Sequence, residues 1–146
     1  MLTLTPQVID AIIEQYGELN RLNLSNNGLQ NVVAISRLSC LKVLNLSCND
    51  LVDIAPISTL SLLEELNLSD NRIAFMEQQQ QQQSTWSLGS LERLALLDLS
   101  QNLLASPAAL QPLARCKALR RLCLLDNPIC ARADYPLCVF QVLPQV

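Results

Sequence analysis

Histidine is absent from the 146 residues, and there are only three glycines, Gly17, Gly28 and Gly89. Without an imidazole the chain lacks the side chain that most often serves as general base or metal ligand near neutral pH. Three scattered glycines leave no glycine-rich loop to cradle a phosphate. Aromatic residues make up 3% of the chain against 50% apolar residues overall, so a core built around large rings is excluded. The six cysteines (Cys40, Cys48, Cys116, Cys123, Cys130, Cys138) form no C-x-x-C pair. Structural zinc favours paired ligands at short spacing, so neither a metal nor a cofactor is expected. Cys116 and Cys138 read as small core residues and the other four as partly exposed ones. No apolar run reaches the ~18 residues of a membrane span. The start, MLTLTPQVIDAII, lacks the basic opening and small-residue cleavage site of a signal peptide. These absences lead to the expectation of an intracellular, cytoplasmic chain with reduced thiols and no membrane contact. A net charge of −3 and the separation of basic from aromatic residues argue against direct nucleic-acid contact.

Leucine is what the chain has in abundance. The string L-x-x-L-x-L-x-x-N-x-[LI] occurs five times. The copies run from Leu19 through Asn27 to Leu29, from Leu41 through Asn49 to Leu51, and from Leu63 through Asn71 to Ile73. Two more run from Leu94 through Asn102 to Leu104 and from Leu119 through Asn127 to Ile129. Successive asparagines are 22, 22, 31 and 25 residues apart, a period of 22 with two insertions. This is the leucine-rich repeat signature, which predicts an α/β solenoid. The alternating stretch around L-x-L has the period of a strand. The asparagine then turns the chain and offers its amide to free backbone groups of the next turn, so Asn27, Asn49, Asn71, Asn102 and Asn127 are expected to form a structural ladder. Return legs with Val32, Ile35, Leu38 and with Ile54, Ile57, Leu60 have the three-residue spacing of a 3-10 turn. Five parallel strands should therefore line a concave face and 3-10 or helical turns a convex one.

A single domain over residues 1–146 follows: an N-terminal capping helix over 1–18, five repeats over 19–129, and a C-terminal helical cap over 130–146. A glutamine-rich insertion at about residues 77–85 interrupts the third return leg and reads as a tolerated loop expansion, which costs little free energy. Thr5-Pro6 opens the first helix, with Val8, Ile9, Ile12, Ile13 and Tyr16 on one face and Gly17 ending it. In the fourth return leg Ser106 followed by Pro107 signals a short α-helix with Leu110, Leu113 and Ala114 inward, strained by Pro112. Asp134 is placed to cap a final helix running through Leu137, Val139, Phe140 and Leu143.

The last segment resembles the C-terminal cap of the intracellular, 22-residue leucine-rich repeat subclass: Asn127, Pro128, Tyr135, Leu143 and Pro144 match its N-P…Y…L-P pattern. In that family a Leu-Asp pair normally follows, beyond Val146, so the resemblance implies a fragment of a longer protein. Relatives of this shape include a phosphatase regulatory subunit, the A-prime subunit of a spliceosomal particle, an axonemal dynein light chain and small cilia- and flagella-associated proteins. The short array and opening L-T-P-x-V-I helix look most like the ciliary members. The resemblance implies a non-catalytic protein-interaction scaffold, a monomeric domain whose partner is another protein, ciliary, flagellar or cytoskeletal. The implied setting is a cilium, flagellum or basal body, with phosphatase or ribonucleoprotein regulation as the alternative.

Exposed strand positions can be read as columns across the sheet. Arg21, Val43, Glu65, Leu96 and Arg121 form one, Asn23, Asn45, Asn67, Asp98 and Cys123 the next. Ser25, Ser47, Ser69, Ser100 and Leu125 form a third, beside Asn26, Cys48, Asp70, Gln101 and Asp126. The last two repeats break the polar pattern. Clustered exposed apolar residues are informative, so Leu96, Cys123 and Leu125, rimmed by Asp98, Arg121 and Asp126, are the candidate protein-binding site. The competing expectation is that the cap or a loop covers them. Asp98 and Asp126 could be imagined as catalytic carboxylates, but nothing nearby would tune their acidity, and no enzyme is expected. Three Asn-Leu-Ser triplets match the glycosylation pattern, but they recur at one repeat position, so a repeated consensus explains them.

Overall fold

Each L-x-L segment forms a three-residue strand in the computed structural model, which describes residues 3–75 and 88–146. The strands are β1 (Arg21–Asn23), β2 (Val43–Asn45), β3 (Glu65–Asn67), β4 (Leu96–Asp98) and β5 (Arg121–Cys123). They pair in parallel in the order β1-β2-β3-β4-β5, forming one open sheet. Register follows the repeat: Arg21, Val43, Glu65, Leu96 and Arg121 are successive partners, as are Leu22, Leu44, Leu66, Leu97 and Leu122. Alternation sends the leucines of each strand to one face, where Leu44, Leu66 and Leu97 are buried. The glutamine-rich insertion expected near residues 77–85 lies outside the described residues.

The return legs are 3-10 turns, Val33–Arg37, Ala55–Thr59, Leu88–Ser90 and Pro107–Arg115. A pitch of three residues per turn brings Val32, Ile35 and Leu38, and Ile54, Ile57 and Leu60, into the core. The fourth leg corrects the expected α-helix: all nine residues of Pro107–Arg115 are 3-10. Pro112 lacks the amide an α-helix would use and its ring would collide with the carbonyl four residues back. Ser106 does cap the leg, its hydroxyl accepting from the Ala108 amide at 3.3 Å. Ala109, Leu110 and Leu113 are buried, whereas Ala114, expected inward, is half-buried.

Helix α1 (Pro6–Tyr16) closes the first layer. The Thr5 hydroxyl accepts from the Val8 amide at 3.3 Å, and the Gly17 amide donates to the Ile13 carbonyl at 2.8 Å with φ at +71°. Arg37 and Asp10 tie the helix to the first 3-10 turn at 2.6 Å. Ile9 is buried and Ile12 and Ile13 pack partly against the core. Tyr16, expected on the buried face, is the last residue of the helix and is 63% exposed. At the other end α2 (Leu137–Val142) has Pro136, not Asp134, at its N-cap. The Asp134 carboxylate is held instead by Arg132, which donates from Nε at 2.8 Å and Nη2 at 2.9 Å. Val139 and Leu143 are buried but Leu137 and Phe140 are exposed, because only one side of so short a helix meets the stack.

One strain recurs in every repeat. Asn26, Cys48, Asp70, Gln101 and Asp126, each just before the ladder asparagine, have φ between 53° and 57°. Asn and Asp tolerate this left-handed region better than other side-chain-bearing residues, but Cys48 and Gln101 have no such excuse. Cys48→Gly should stabilise the fold by about 0.5–1 kcal/mol by relieving that strain, net of the added chain entropy. Cys48→Val should destabilise it. Urea unfolding midpoints for the pair check the sign, and equal midpoints would remove the strain.

Candidate protein-binding surface at the C-terminal end

The concave columns are polar and self-satisfied over most of the sheet, with Ser47, expected exposed, buried. The Asn45 Oδ1 accepts from the Ser47 amide at 2.9 Å, and Asn67 accepts from both the amide and the hydroxyl of Ser69 at 2.9 and 2.8 Å. Asp98 repeats that arrangement in β4, taking the Ser100 amide at 2.9 Å and its hydroxyl at 2.6 Å. A carboxylate in an asparagine's place thus keeps the local turn while adding a fixed negative charge beside Leu96. The pattern ends with β5, where Cys123 and Leu125 replace the Asn and Ser and no such bond can form.

Leu96 is 36% exposed and Leu125 64%; Cys123 is half-buried, and Arg121 and Asp126 are exposed. The cap does not cover Leu96 or Leu125. It stands beside β5 and, with it, borders an open cleft of about 430 Å³. Leu96, Asp98, Arg121 and Cys123 line that cleft, so the structure brings four of the six candidate residues together. Leu125 and Asp126 are not among its walls and form an outer shoulder on the concave face. Sequence columns missed the far wall, which Tyr135, Pro136, Val139 and Phe140 supply from the cap. The sequence names Tyr135 in the cap pattern and Val139 and Phe140 in the final helix, but nothing in it sets them opposite β5. Arg120 also lines the cavity, its Nη1 donating to the Lys117 and Leu119 carbonyls at 2.8 and 3.0 Å. Among the described residues Arg121 has no ion-pair partner within 4.0 Å.

A hydrogen bond with Cys130, then burial, raises the Tyr135 phenol. Burial raises the Cys116 thiol. The bond to Asp134 raises Arg132, and the same bond lowers Asp134. Every one of these shifts moves a group further from neutral pH, the reverse of what a general acid or base requires. Among the described residues no His, Cys, Asp or Glu cluster has the geometry to hold a metal ion, and no helix is long and apolar enough to cross a membrane.

The ladder positions behind this surface are built from asparagine. Asn49, Asn71, Asn102 and Asn127 are buried, and each Nδ2 donates to carbonyls of its own and the preceding repeat. Asn102, for example, reaches Leu68 at 2.9 Å and Leu99 at 3.1 Å. Asn127 does the same beneath β5, reaching Leu99 at 2.8 Å and Leu124 at 3.0 Å. Asn27 is only half-buried, because no repeat precedes it.

A family model described as leucine-rich repeat matches residues 42–146. No curated protein matches the chain. Among solved structures it is similar to a leucine-rich repeat protein of Leptospira interrogans, with 26% identity and a TM-score of 0.76 over 99% of this chain and 33% of that one. A chain of the Drosophila melanogaster SNF/U2A' complex is 24% identical with a TM-score of 0.75, over 100% of this chain and 82% of that one. The plant peptide hormone receptor RGFR1, solved in complex with RGF2, is 29% identical with a TM-score of 0.57, over 75% of this chain and 17% of that one. The chain thus spans a third of the Leptospira protein's length and less of the receptor's.

Proposed function

The chain belongs to the leucine-rich repeat family, and from that premise we propose that it is a non-catalytic scaffold which docks a partner protein at the C-terminal end of its concave sheet. The observation that carries this reading is the break in the polar columns: Leu96 and Leu125 stand exposed beside a cavity of about 430 Å³. An apolar patch next to a cleft, with charged residues at its rim, is the usual anatomy of a protein-binding centre. The likeness to a receptor solved with its peptide bound is consistent with that use of the fold.

The setting we propose is a cilium, flagellum or basal body. Its support is the resemblance of the short array and the opening L-T-P-x-V-I helix to the ciliary members of the subclass. Proximity labelling in a ciliated cell should recover axonemal or basal-body proteins. Recovery of a phosphatase catalytic subunit or a ribonucleoprotein instead would replace that setting. Leu96→Glu together with Leu125→Glu should abolish capture of whatever is recovered while leaving the circular dichroism spectrum unchanged. Undiminished capture by the double variant would rule out this surface.

A further inference from the structure

The repeats are stitched together by a fixed set of backbone bonds. In repeat two the Glu64 and Glu65 amides donate to the Lys42 carbonyl at 2.8 and 3.0 Å, the Leu46 amide donates to Asn67 at 2.8 Å, and the Cys48 amide donates to Ser69 at 2.9 Å. Repeat four does the same: the Arg120 and Arg121 amides reach Ala95, Leu99 reaches Cys123, and Gln101 reaches Leu125. The equivalent groups of repeat five are the Arg120 carbonyl and the Leu124 and Asp126 amides. Among the described residues none of these three has a backbone partner. Among the described residues the cap closes the core but leaves the edge of β5 unpaired, an acceptor and two donors at the positions that bond the next repeat elsewhere in the stack.

We propose that this edge receives an extended segment of the partner protein as a sixth parallel strand, with acidic residues beside Arg120 and Arg121 followed by alternating apolar residues. This deepens the docking proposal above and rests on it. Strand addition to an open edge is a recurring mode of peptide recognition, in which main-chain bonds give affinity and side-chain pockets give specificity. Side-chain chemistry here picks the sequence. Leu44, Leu66 and Leu97 are buried between neighbours, but Leu122, last in that column, is only half-buried. Leu122 and Leu124 both line the cavity, so apolar residues of an added strand would continue their columns into it. For the position beside Arg120 the chain carries its own precedent: Lys42 in repeat two faces Glu64 in repeat three at 3.7 Å. Arg120 occupies the Lys42 column, and a carboxylate on a sixth strand would meet it in the same way. A second copy fits worse. Head-to-tail addition of its β1 would set Arg21 against Arg121, and like charges directly opposite are unfavourable.

The test uses a synthetic peptide with the sequence of residues 63–69, LEELNLS, titrated into the 15N-labelled chain. The amide resonances of Leu124 and Asp126 should shift in a saturable way while those of Asn23 and Ser25 stay fixed. Methylating the peptide amides equivalent to Glu64 and Glu65, which would donate to the Arg120 carbonyl, should weaken binding about tenfold. Lysines in place of both glutamates, or Arg121→Glu in the protein, should weaken it about fivefold. Arg121 makes no contact whose loss threatens folding, and Arg21→Glu, on the opposite edge strand β1, should leave the peptide's affinity unchanged. Shifts confined to Leu96, Ser100 and Leu125 would overturn the sixth strand and leave the concave docking reading standing. Binding insensitive to methylation, no binding at all, or concentration-dependent shifts of Leu124 and Asp126 without peptide would each overturn the proposal, the last in favour of a second copy.

Discussion

Asn49→Leu should cost the fold about 3 kcal/mol, from one buried and one half-buried amide left unpaired at about 1–3 kcal/mol each. The two are the Asn27 and Leu29 amides, which donate to Asn49 Oδ1 at 3.1 and 2.9 Å. The Asn49 Nδ2 donates in turn to the carbonyls of Leu24, Leu46 and Ser47 at 3.0, 2.8 and 3.2 Å. One side chain therefore joins two repeats through five bonds. Leucine fills a similar volume and satisfies none of them. Against the about 5–15 kcal/mol that holds an ordinary domain together, the loss should appear as a large fall in the urea midpoint. Asn27→Leu is the control: its Nδ2 donates only to the Ser25 carbonyl at 2.9 Å, and the site is half-buried. That change should cost about 1 kcal/mol or less. Equal losses for the two variants would mean that the ladder is not what holds the repeats together.

The parts of this molecule that repeat were readable from its sequence; of those that occur once, the first helix was readable through Thr5, Pro6 and Gly17, and the cavity's far wall was not. A period of 22 residues puts Arg21, Val43 and Glu65 in one column, and the strand register agrees. The same count through the insertion reaches Leu96 and Arg121. Three-residue spacing gave the 3-10 legs, because Val32, Ile35 and Leu38 have to share one face. Pro112 was the local conflict. Ser106 and Pro107 carry a genuine helix-start signal, but a start signal does not choose between α and 3-10 geometry, and Pro112 decides for the latter. At the cap, Asp134 is of a residue type that favours an N-cap, yet Arg132 two residues earlier takes its carboxylate. The far wall of the cavity could not be read because it depends on how α2 docks against the leg Pro107–Arg115, a contact between segments that share no period. Arg121 and Cys123 could be assigned to a column; what faces them could not.

Gly89→Ala should destabilise the protein by about 2–3 kcal/mol, the upper part of the range for overpacking. A Cβ at Gly89 would lie 2.5 Å from the Pro112 carbonyl oxygen and 3.3 Å from its carbon. Both are backbone atoms in the middle of a 3-10 leg, so no side-chain rotation relieves the overlap. The turn Leu88–Ser90 and the leg Pro107–Arg115 would have to separate, although Leu88, Leu110 and Leu113 are all buried. The two segments are also joined where the Cys116 thiol donates to the Leu88 carbonyl at 3.2 Å. That bond supplies a second readout. In the wild type Cys116 is buried and its thiol is held up by burial, so it should resist a maleimide that modifies exposed Cys48 readily. Separation of the two turns should raise the labelling rate of Cys116 while leaving that of Cys48 unchanged. A Gly89→Ala variant as stable as the wild type, with Cys116 still protected, would mean that the convex turns have room to spare and that glycine is not needed between them.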